Sequence, residues 1–187
     1  NAADIKDSRE AMQLAKDAGI DVKEVAKKDI AEQKAIKNVA TKIKEAGGDA
    51  GDEAVKNFLA SGAAEDILQY EKAIEDNADL AGDIATVVAG TSGDGETDVP
   101  VIDFKAKIEE KVKESAGSKL KSDYADTEYL SIIESNNDRA QDISFALSFV
   151  EKGSAQEKAL FANIDKLDSI MSLGNQFKDD ADKLNAV

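Results

Sequence analysis

The feature that most constrains this chain is a seven-residue frame running without interruption through its first 46 residues. One core position falls on Ile5, Met12, Gly19, Ala26, Gln33 and Ala40, and the other on Ser8, Ala15, Val22, Asp29, Ile36 and Ile43. A strict heptad keeps one seam of a helix against its neighbours, so such a stretch folds as a helix packed on other helices. The frame passes through Gly19, which costs only about 1 kcal/mol relative to alanine inside a helix. The spacing therefore predicts one long helix over 2–46, bent if anywhere at Gly19 and ending at Gly47-Gly48. At the usual helical rise it is roughly 65 Å long.

The rest of the chain has the same texture. A turn at "GGDAGDEA" leads into a second helix over 52–89, with Ala60, Ile67, Ile74, Ala81 and Val88 on one seam position and Ala63, Tyr70, Asn77 and Ile84 on the other. Apolar residues from Ile108 to Val150 recur at three- and four-residue steps and predict a third helix over 101–151, with "SAGSK" around Gly117 a candidate bend. Ser154 and Glu157 form a capping box that opens a fourth helix over 154–186. Only one proline, Pro100, interrupts the chain, near the start of the third helix, where proline is tolerated. The expected fold is all-α: a single domain over 1–187, built as an elongated antiparallel bundle of long coiled-coil-like helices.

Composition then removes function classes. There is no cysteine and no histidine, which excludes disulfide scaffolds, zinc fingers, thiol nucleophiles, histidine triads and histidine metal sites. The formal net charge of −15 would repel nucleic acid and anionic membrane surfaces, so no nucleic-acid partner is expected. No apolar run approaches the roughly 20 residues of a membrane-spanning helix. The chain begins at Asn1 rather than methionine, as expected of a mature or trimmed fragment.

Three constellations invite a chemical reading. The loop "VVAGTSGDGETDVPVIDF" clusters Gly90, Gly93 and Gly95 with Asp94, Glu96 and Asp98. A phosphate loop needs a lysine after the glycines, and a calcium loop needs glycine at its sixth position and glutamate at its twelfth. Those two positions hold Val99 and Lys105, so the stretch reads as a solvated inter-helix loop. On the second helix Glu71, Glu75, Asp79 and Asp83 form a ladder of like charges at four-residue spacing, with Asp76 beside them. Residues 1–46 carry ten bases and nine acids, whereas 47–100 carry two bases and thirteen acids. Arg9, Lys16, Lys23, Lys37 and Lys44 share one heptad position, and partial pairing of that face with the ladder is expected. Finally, Asp29, Gln33 and Asn77 are polar residues in the seams, read as register-fixing rather than as the lining of an internal ligand site. No residue is assigned to catalysis, to a cofactor or to a metal, and no enzymatic activity is expected.

The long alanine- and acid-rich stretch "DIKDSREAMQLAKDAGIDVKEVAKKDIAEQKAIKNVATKIKEAGG" resembles the glutamic acid/alanine-rich surface proteins of Trypanosoma congolense, part of the insect-stage coat of African trypanosomes. The resemblance covers most of the chain and is one of composition and heptad texture. It implies an extended helical bundle held on the outer face of the plasma membrane by a C-terminal glycosylphosphatidylinositol (GPI) anchor. It also implies a protective, antigenic layer whose partners are neighbouring coat molecules or a host-vector surface. The alternative is a ligand-sensing or receptor bundle, also extracytoplasmic.

Overall fold

The computed structural model describes residues 2–89 and 101–167, with side chains in the second stretch from Phe104 onward. The described residues are all-α, with helices and helical turns and no strand. The chain divides into two compact units, Asn1–Lys119 and Leu120–Val187, where one extended domain is expected from the sequence.

The long first helix is not continuous. In its place stand α1 (Ala2–Asp17), α2 (Val22–Ala26) and α3 (Ile30–Gly47). Gly19, at φ 74°, ends α1: its N–H donates to the Lys16 carbonyl and the Ile20 N–H reaches back to the Ala15 carbonyl. These two bonds are the Schellman arrangement, which depends on a left-handed residue after the helix end. Asp21 then caps α2 by accepting from the Lys23 N–H, and Asp29 caps α3 in a reciprocal box with Glu32. The "DAGID" and "KKDIAE" stretches are therefore stop and start signals lying under an unbroken heptad. The return of the chain through α2 also overturns strict antiparallel order. Asp7 pairs with Lys37 and the Asp17 charge acts on Lys44, so contacts advance together and α1 runs in the same direction as α3.

The second predicted helix is divided as well, into α4 (Gly51–Ala60), α5 (Ile67–Asp76) and α6 (Leu80–Ala89). A turn at 48–50 carries the chain from α3 into α4, so closely that a Cβ on Gly51 would lie 2.2 Å from the Lys44 carbonyl oxygen. Gly62, at φ 81°, separates α4 from α5, and the extended backbone of Asn77 separates α5 from α6. Next comes α7 (Val101–Asp123), whose path is unbroken at Gly117 despite the expected bend. The Glu65–Lys105 and Asn77–Ser115 bonds step in the same order, so α5 and α7 also run in one direction. The core of this unit is contiguous and includes Ile36, Ile43, Phe58, Ile67, Ile84 and Ile108, all at most 1% exposed.

The last turn of α7 belongs to the second unit, where the third predicted helix ends early. After a turn region come α8 (Leu130–Ser135), α9 (Ala140–Leu147) and α10 (Ala155–Ala162). Asn136 ends α8, donating its side-chain amide to the Ile132 carbonyl. The core here includes Ile133, Ile143, Phe161 and Leu167. Its rings pack specifically: Tyr124 meets Phe161 edge-on at 5.2 Å and Tyr129 stacks on Phe161 at 4.2 Å. Ser154 opens α10 as the expected N-cap, accepting from the Glu157 N–H. The reciprocal half of the capping box is not made: the Glu157 carboxylate accepts from the Gly153 N–H, and the Ser154 N–H donates to the Glu151 carbonyl. The predicted fourth helix is interrupted at Asn163, a short helical turn follows at Ile164–Lys166, and its residues 168–186 lie outside the described residues.

Candidate functional site

A recess of about 500 Å³ lies among Leu14, Lys44, Asp52 and Val55, and a smaller open cleft of about 340 Å³ lies between α3 and α5. One helical face of α3 brings Asn38, Thr41, Lys42 and Glu45 to its rim, because these residues are three or four apart. Glu71 and Glu75, one turn apart on α5, form the facing rim. Val39 and Ile74, both 1% exposed, lie at its base. The Asn38 amide spans the cleft and donates to the Glu71 carboxylate at 2.7 Å.

The lysines of α3 do not share one environment. Lys37 is held by Asp7 at 2.6 Å and Glu10 at 3.2 Å, both on α1. The hydrogen bond from Lys37 holds the Asp7 carboxyl below its ordinary range, and those to Asp7 and Glu10 raise the Lys37 ammonium. Lys44 pairs with Asp52 at 2.7 Å across the α3–α4 turn. The pairing expected between the basic heptad row and the acidic ladder is thus absent: no ion pair among the described residues joins Arg9, Lys16, Lys23, Lys37 or Lys44 to Glu71, Glu75, Asp79 or Asp83. The row meets other acids because α1 folds back beside α3. Local partners relieve the ladder instead, with Asn38 on Glu71 and the Lys72 ammonium on Asp76.

The seam polar residues do not converge either. Asp29 is an exposed N-cap, and Gln33 donates to the Lys28 carbonyl at 2.7 Å while its own amide oxygen is buried without a partner among the described residues. Asn77 ends α5 and donates to the Ser115 hydroxyl at 2.9 Å. Asp29 begins a helix, Asn77 ends one and Gln33 is buried inside α3, so they do not line one cavity. The glycine-rich stretch at 90–100 lies outside the described residues. Among the described residues, no group of three or more acids is placed to hold a metal ion, and no helix is long and apolar enough to cross a membrane.

In the second unit the most concentrated polar arrangement surrounds Glu157, 4% exposed. Its carboxylate accepts from the Tyr124 hydroxyl at 2.6 Å and from the Gly153 N–H at 3.1 Å. Lys152 lies 4.9 Å from the centre of the Tyr124 ring and donates to the Asp123 carbonyl. Burial, followed by the bond to Glu157, pushes the Tyr124 phenol up. With every group answered by another, this cluster locks a turn and leaves no reactive atom.

The chain matches no family model, no curated protein and no solved structure. The acidic ladder was the sequence signal for the cleft, since it contains Glu71 and Glu75. Asn38, Thr41, Lys42 and Glu45 carried none, because the partners facing them depend on how α3 and α5 pack.

Proposed function

We propose that this chain is a non-enzymatic surface-coat protein, held on the extracellular face of a plasma membrane by a C-terminal GPI anchor. In this reading it forms part of a dense protective layer on an insect-stage trypanosome. The observation that carries the reading is the pairing of an all-helical scaffold with a strongly acidic chain of net charge −15. Like-charged neighbours resist aggregation and non-specific adhesion, which a crowded layer requires. The textural resemblance to glutamic acid/alanine-rich coat proteins supports the same role. In that layer the neighbours of the chain are further coat molecules.

The test is release of the native protein from intact cells by a phosphatidylinositol-specific phospholipase C. Appearance of the protein in the soluble fraction is the expected outcome. Retention after both the lipase and chemical cleavage of the anchor overturns the reading. A second reading, an extracytoplasmic ligand-binding bundle, is favoured by one observation, the α3–α5 cleft lined by Lys42 and Glu45 on one side and Glu71 and Glu75 on the other.

A further inference from the structure

We draw no further inference here: the strongest candidate, the aromatic patch that Phe145 and Phe149 form at the end of α9, with their rings 5.0 Å apart and Phe149 74% exposed, is an unpartnered apolar face, and nothing in the structure shows what covers it.

Discussion

Two buried tyrosine hydroxyls show how one chemical group takes opposite energetic roles. The Tyr124 hydroxyl donates to Glu157 at 2.6 Å, and Glu157 is almost fully buried. Removing that donor leaves a buried carboxylate with only the Gly153 N–H, so the cost exceeds that of an ordinary hydrogen bond. Tyr124→Phe is expected to lower stability by about 2 kcal/mol, from the usual worth of bonds to charged groups. Tyr70 is 0% exposed, and its hydroxyl has no partner among the described residues. Burial, then the Asp66 charge, pushes its phenol up, so the ring stays neutral at physiological pH. Its ring, tilted 6.3 Å from Phe58, does the packing while its oxygen carries an unanswered desolvation cost. Tyr70→Phe is therefore expected to be neutral or stabilising. Urea-denaturation midpoints of the two variants check both signs, and a similar loss from each would contradict the distinction. The heptad seam placed Tyr70 in the core, but the sequence had no means of separating its hydroxyl from that of Tyr124, because a partner such as Glu157 lies on another element.

At the scale of elements, apolar rows and the helix end at Gly47-Gly48 were legible, whereas the breaks inside the predicted helices were not. Ile67, Ile74, Ala81 and Val88 are all buried, as their common heptad position predicts, and so are Gln33, Ile36, Ala40 and Ile43 on α3. The same frame also predicted burial for Ile5, which is 56% exposed, and for Asp29, which is a cap. A heptad frame persists in sequence across a break because it constrains which residues are apolar and leaves the backbone dihedrals free. The deciding signals were local: Gly19 followed by Asp21, and Asp29 three residues before Glu32. Gly19→Ala separates the two readings by sign. In a continuous helix the change would stabilise by about 1 kcal/mol through propensity. At φ 74° it should instead destabilise by about 1–2 kcal/mol, the penalty for an L-residue in the left-handed region. Thermal unfolding of this one variant gives the sign directly, and a raised midpoint would restore the unbroken helix.

For the whole molecule, the helical class and its acidity could be read from composition, whereas the division into two units could not. That division depends on where apolar rows close on themselves, and strings of similar heptads do not encode it. The charge has a consequence that belongs to no single element. At neutral pH a net charge of −15 opposes compaction, so screening by salt should raise stability. Mild acid should act the same way as exposed carboxylates begin to take up protons. Specific pairs set the opposite limit. The hydrogen bond from Lys37 holds Asp7 below its ordinary 3.8, and that from Lys105 holds Glu65 below its ordinary 4.5. A carboxylate with a lowered folded-state pKa contributes stability that is fully present above its unfolded value. That contribution is lost as pH falls through the folded one. The two effects therefore oppose each other with decreasing pH, giving a stability maximum below neutrality and a loss beneath about pH 4, the unfolded carboxylate range. Asp7→Asn should flatten the acid limb and leave the salt response at pH 7 nearly unchanged, because it removes one pair and only one of 39 acids. Unfolding midpoints measured from pH 3 to 8, at low and high salt, test both limbs. A maximum at or above pH 7 would show that the specific pairs outweigh the collective repulsion throughout.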